Sequence, residues 1–161
     1  MKKKIVIIGI ILIIIIIGVC IKFVFSDTNT EITLDMPKLA EELINAQIFE
    51  DQLNEVDKES IIKKYNLNAE KIKNVDAYVG TGATAEEILI MELLDKKDIS
   101  ETKKIMETQI EERKLDFQDY LPKEVFKLEN YILESKGNYI VLCISNDSDK
   151  AKEIINKNIN S

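Results

Sequence analysis

Glu86-Glu87-Ile88-Leu89-Ile90-Met91-Glu92-Leu93-Leu94-Asp95 is the stretch on which the fold turns, because it satisfies two patterns at once. Thr84 with Glu87 three residues on would make a capping box, the start of a helix. The continuous apolar run Ile88 to Leu94 is instead of strand length and is bounded by polar turn residues, so a buried strand is the favoured reading. Upstream, Ile72 to Val79 brings Val75, Ala77 and Val79 into alternation, which suits a second strand. Gly80-Thr81-Gly82-Ala83-Thr84 then lies between the two. It has neither the third glycine of a dinucleotide loop nor the Gly-Lys-Ser/Thr of a phosphate loop. A permissive backbone at a turn accounts for it.

Downstream, Ile99, Ile105, Met106, Ile110, Leu115 and Phe117 fall largely on one face and predict the main amphipathic helix, Ser100 to Asp119. Leu121-Pro122 stops it, and Lys123 to Leu128 makes a short helical turn. Asn130 to Ser135 and Asn138 to Ser145 bracket Lys136-Gly137 as a β-hairpin. Tyr139 to Ser145 is nearly all apolar, which places that strand centrally in a sheet. Asp147 or Ser148 caps a last helix, Asp149 to Lys157, directing Ala151, Ile154 and Ile155 to the core. Towards the N-terminus, Asp57 caps a helix from Lys58 to Tyr65, and Phe49 to Val56 reads as a short strand or extended segment. Asp35 and Pro37 open a helix that runs to about Gln47. These elements predict an α+β domain over residues 35–161, a mostly antiparallel sheet of four to five strands with helices packed on one face.

That domain follows a stretch of different character. Ile5 to Ile21 contains no charged side chain, and Phe23, Val24 and Phe25 follow Lys22. As a helix, residues 5–25 would be roughly 30 Å long, the thickness of a bilayer's hydrocarbon core. The expectation is one N-terminal transmembrane helix, with the lipid bilayer as its partner. Lys2, Lys3 and Lys4 precede the run and the first acidic residue, Asp27, follows it, so residues 1–4 are placed in the cytoplasm and the C-terminal domain outside it. Residues 26–34 form a linker. The rival readings are a cleaved signal peptide and lipid attachment at Cys20; both leave the domain outside the cytoplasm.

Composition narrows function more by exclusion than by assignment. Four of the 22 basic residues lie at or before Lys22 and all 29 acidic ones beyond it, so the remainder carries 18 basic against 29 acidic side chains, a net −11. That sign disfavours nucleic acid and anionic headgroups as partners of the domain. Histidine is absent, which removes Ser-His-Asp and Cys-His hydrolases and most transition-metal sites. Cys20 and Cys143 sit in segments too different to pair, and there is no zinc motif. Glu111 with Glu112 and Asp116 with Asp119 do not make an acid and base pair, since helix neighbours diverge and residues three apart share a solvated face. Asn146-Asp147-Ser148-Asp149 lacks the twelve-residue pattern of a calcium loop, and helix capping explains it. Cys143 reads as a small buried hydrophobe with no base to activate it. Tyr120, Pro122, Tyr131 and Tyr139 could line a groove, but core packing and turn geometry account for them. No residue is assigned a catalytic, cofactor-binding or metal-binding role, and no cofactor is expected.

The order Phe117-x-x-Tyr120-Leu121-Pro122-x-Glu124-x-x-Lys127-Leu128-Glu129-Asn130, then Lys136-Gly137-Asn138-Tyr139, then Ser145-Asn146-Asp147, with Ala83-Thr84-Ala85-Glu86-Glu87-Ile88 upstream, resembles the family termed domain of unknown function 4358. The resemblance covers roughly Leu34 to the C-terminus. It implies a membrane-anchored or lipoprotein-like exported protein of a low-GC Gram-positive anaerobe and a strand at Glu86 to Asp95. It brings no activity and no catalytic residue. Val19 before Cys20 departs from the small residue a lipoprotein signal carries there. The expected function is a tethered, non-enzymatic binding or accessory module for an envelope or membrane protein; the alternative is an envelope hydrolase or transferase working through carboxylates.

Overall fold

A computed structural model describes residues 33–160. The expected anchor at residues 5–25 lies outside the described residues. Among the described residues, no helix is long and apolar enough to cross a membrane.

The elements are α1 (Met36–Asn45), β1 (Asn54–Glu55), α2 (Lys58–Tyr65), β2 (Ile72–Val79), β3 (Glu87–Leu93), α3 (Ile99–Tyr120), α4 (Pro122–Glu129), β4 (Ile132–Lys136), β5 (Tyr139–Ile144) and α5 (Ser148–Ile159). The strands form one antiparallel sheet in the order β1-β2-β3-β5-β4. The fold is therefore α+β with five strands, and Glu86 to Asp95 is a strand, as expected. The caps expected at Asp35, Asp57 and Asp147 each accept from a backbone N–H three residues on, the orphan donors of a helix start. Asn66 ends α2 with φ 53°, a left-handed conformation asparagine tolerates.

Three expectations need correction. Helices cover both faces of the sheet, not one. Leu89, Met91 and Leu93 of β3 pack with Ile140, Leu142 and Ile144 of β5 against Ile61 of α2, Met106 and Ile110 of α3 and Leu128 of α4. The alternate residues Ile88, Ile90, Val141 and Cys143 pack against Leu39 and Leu43 of α1 and Ala151 and Ile155 of α5. β5 is apolar at every position and β3 at all but Glu87 and Glu92, so both faces of these strands must be buried and each needs its own cover. Secondly, the hairpin turn is Gly137-Asn138, because Lys136 still pairs with Tyr139. Gly137 carries φ 60° and Asn138 does not share the positive sign, the pattern of a two-residue II′ turn with glycine first. Thirdly, Leu115 points away from the core and is 67% exposed, while Thr102 is buried on the inner face of α3. Within Phe49 to Val56, expected as a short strand or extended segment, Asn54–Glu55 is the strand and the rest is a loop.

Coverage of both faces has a measurable consequence. Ile90→Val and Ile140→Val remove one methyl from opposite sides of the sheet, where both side chains are fully buried. Each is expected to lower stability by about 0.5–1.5 kcal/mol in urea unfolding. A sheet with one bare face would show the loss at only one of them.

Candidate functional site

At the start of β3 two adjacent carboxylates, Glu86 and Glu87, are both fully buried. Successive side chains of an extended chain point to opposite sides, so each must find its own counter-charges. Glu86 accepts from the backbone N–H of Glu50 at 2.9 Å, that of Asp51 at 2.8 Å and the Lys127 ammonium at 3.0 Å. Lys127 also reaches Glu124 Oε2 at 3.1 Å and Glu50 Oε2 at 3.3 Å. Pro122 opens α4, whose Glu124, Lys127 and Leu128 share an inward face at three- and four-residue spacing. At the solvent edge Glu50 Oε1 accepts from Asn146 Nδ2 at 2.6 Å.

Glu87 is served from the other side. Its Oε2 accepts from Lys64 Nζ at 2.7 Å and Arg113 Nη1 at 2.8 Å. The same guanidinium donates to the Ala85 carbonyl at 3.2 Å, while the Ala85 N–H donates to Glu124 Oε2 at 2.9 Å. The backbone of one residue, Ala85, thus joins the two halves. Across them Glu86, Glu87 and Glu124 stand against Lys64, Arg113 and Lys127, so the interior charges balance. Glu87 Oε1 and Ser145 Oγ are buried without a hydrogen-bond partner among the described residues.

The titration behaviour follows from these contacts. Burial works against the Glu87 carboxylate, but the Lys64 and Arg113 charges outweigh it and hold its pKa below the ordinary value. Burial likewise opposes the charge on Arg113, which Glu87 holds up. Lys64 is pulled down by burial, aided by the Arg113 charge, in spite of Glu87. With Lys64 more exposed than Arg113, the guanidinium is the firmer partner. Burial also works against the charge on Lys127, and the hydrogen bonds to Glu86 and Glu124 raise its pKa regardless. The shifts of Glu87, Arg113 and Lys127 favour their charged forms, whereas proton transfer needs a group poised to change state. The Lys127 ammonium occupies the space between carboxylates that a metal ion would need. Among the described residues no group of three His, Cys, Asp or Glu side chains is placed to hold a metal.

A second place collects carboxylates. Asp35, Asp76 and Glu92 border an open depression of about 450 Å³ with Asn74 and Tyr139. Burial, and then the Glu55 charge, raise Asp76. Burial also works to raise Glu92, but its hydrogen bonds from Lys73, Asn74 and Asn138 prevail and lower it. The oxygens of Glu92 are taken up by those donors.

The residues weighed in the sequence do not assemble into a site. Glu111 pairs with Lys114 at 2.6 Å and Glu112 accepts from Gln109 at 2.8 Å, both on the outer face of α3. Tyr131 packs on one side of the sheet and Tyr139 on the other, and Tyr120 is exposed, stacked on Phe117 at 5.6 Å, so these aromatics form no common groove. Cys143 is buried, and desolvation pushes its thiol up to about 12. In a Cys20→Ser chain, a thiol reagent at pH 8 is therefore expected to leave the native protein unlabelled and to label Cys143 only on unfolding. In the sequence Glu87 stands out as a capping-box partner of Thr84, and Glu86, Glu124 and Lys127 as matches to a family pattern, none as a buried charge. The signal for Glu86 and Glu87 is two adjacent glutamates abutting the apolar run Ile88–Met91.

The fold and this lattice of ion pairs, Glu86, Glu87 and Glu124 with Lys64, Arg113 and Lys127, together define an α+β domain whose sheet end is locked by buried charges. A family model described as domain of unknown function (DUF4358) matches residues 47–145, and the chain belongs to that family. The match contains every charged member of the lattice. Helices α1 and α5, which cover one face of the sheet, lie outside it. No curated protein and no solved structure matches the chain.

Proposed function

We propose that this chain is a membrane-tethered binding or accessory module, held by residues 5–25 with its C-terminal domain outside the cytoplasm, and that it acts by contact with an envelope or membrane protein. The observation that carries the reading is the uncharged run Ile5–Ile21, flanked by Lys2, Lys3 and Lys4, ahead of residues 23–161 with their net charge of −11. The lattice supports the non-enzymatic part, since its buried charges neutralise one another and give the sheet a fixed end on which loops are presented. A phosphatase reporter, active only outside the cytoplasm, fused after Ser161 tests the placement. Activity at the cell surface is expected, and a reporter active only in the cytosol would sink the reading.

A further inference from the structure

Strand β4 is an open edge of the sheet, paired with β5 on one side and with no other strand among the described residues. The two-residue turn makes Lys136 and Tyr139 a hydrogen-bonded pair, and antiparallel alternation then turns the backbone groups of Ile132, Glu134 and Lys136 inward to β5. Those of Leu133 and Ser135 point outward. No other backbone hydrogen bond reaches either residue among the described residues. β4 has no proline and its register with β5 runs without a bulge, so of the usual guards the edge carries only the charges of Glu134 and Lys136.

Ser135 borders an open depression of about 540 Å³ whose other wall is the start of α3, with Ile99, Ser100, Lys103, Lys104 and Glu107. A helix running beside an open strand edge is the arrangement in which an extended peptide adds to a sheet. Neither Lys103 nor Lys104 has an ion-pair partner among the described residues, whereas Lys71, Lys97 and Lys114 each do. Glu107 lies one turn further along α3. The depression is thus positive towards the start of the helix and negative beyond it.

We propose that β4 accepts an extended segment of a partner protein, which pairs with the backbone of Leu133 and Ser135 and sets a carboxylate against Lys103 and Lys104. This rests on the binding-module reading and names its surface. A second copy of the chain is the poorer occupant. Antiparallel pairing of β4 with itself in the register that engages both Leu133 and Ser135 of each copy would place Glu134 directly opposite Glu134, a destabilising like-charge pair.

The test uses the full chain in detergent and fluorescent peptides of alternating valine and threonine. One set carries a single glutamate scanned along the peptide, a second replaces it by lysine, and a third is all apolar with a free or amidated C-terminus. Anisotropy is expected to show tightest binding for glutamate, or for the free C-terminus if that is the carboxylate recognised. Ser135→Pro removes the outward N–H while leaving the inward ladder intact, and it is expected to weaken binding by about tenfold or more. Lys103→Glu with Lys104→Glu should reverse the preference to the lysine peptides. Binding indifferent to Ser135→Pro, or no peptide bound, overturns the proposal, as does a dimer that Ser135→Pro dissolves. Capture of a partner from membranes equally by the wild-type and Ser135→Pro chains would leave the binding reading standing and remove this surface; capture by neither would remove both.

Discussion

Replacing Lys127 by methionine is expected to lower the stability of the folded domain by about 3 kcal/mol, whereas Lys123→Met, one turn earlier on α4 and exposed, changes it by less than about 0.5 kcal/mol. The ammonium lies within 3.3 Å of oxygens from Glu86, Glu124 and Glu50, and methionine of similar length fills the space without the charge. Glu86 and Glu124 then stay buried beside each other without a cation between them. The figure sits at the low end for a broken buried pair because Glu50, at the solvent edge, is half exposed and water can approach there. Adding Glu124→Gln to Lys127→Met removes one of the stranded charges and should restore part of the loss, a coupling that a double-mutant cycle measures. Urea unfolding of the full chain, followed by circular dichroism, gives all four values. Equal losses for Lys127→Met and Lys123→Met would mean that the lattice contributes nothing to holding α4 on the sheet.

Local structure was legible where a single segment contains its own cause. Asp57 with Lys58 to Tyr65 gives both cap and helix, and Val75, Ala77 and Val79 alternate along the second half of β2. The run Ile88 to Leu94 gave a strand once continuous apolarity outweighed the capping-box pattern, because Thr84 is in fact occupied elsewhere, its hydroxyl bonded to Asp51 at 3.3 Å. The same run also carried the information that both faces are covered, since Ile88 and Leu89 cannot both face one layer of helices. The lattice was not legible, for a physical reason: Glu86 meets Lys127 across 41 residues and Glu87 meets Arg113 across 26. On its own segment, each of these side chains looks like an ordinary solvated charge. Only the sheet register and the α3–α4 corner bring them to one end of β3. Leu115 misled for the complementary reason, as it matches the apolar count of its helix while lying opposite Met106, Ile110 and Phe117, which set the buried face.

Glu87→Gln should produce a loss of about 3–5 kcal/mol at pH 7, because Arg113 and Lys64 then remain close together beneath the sheet with no counter-charge. The amide oxygen still accepts a hydrogen bond, so the loss reports charge more than geometry. Its pH dependence has a determined sign. The folded pKa of Glu87 lies below the ordinary carboxyl value of 4.5, so the stabilisation is fully present above that value and disappears as pH falls through the folded pKa. Protonated Glu87 is nearly the mutant. The gap between wild type and Glu87→Gln should therefore hold constant from neutral pH down to about 4.5 and narrow steadily below it. Other lowered carboxylates, Glu92 and Asp51 among them, also lose their contribution in acid, but they do so in both proteins and cancel in the difference. Urea midpoints for the pair at a series of pH values measure the gap directly. A difference that stays the same at pH 7 and in acid would show that Glu87 is not the charge on which Arg113 and Lys64 depend, and the neutral lattice at the end of β3 would have to be redrawn without it.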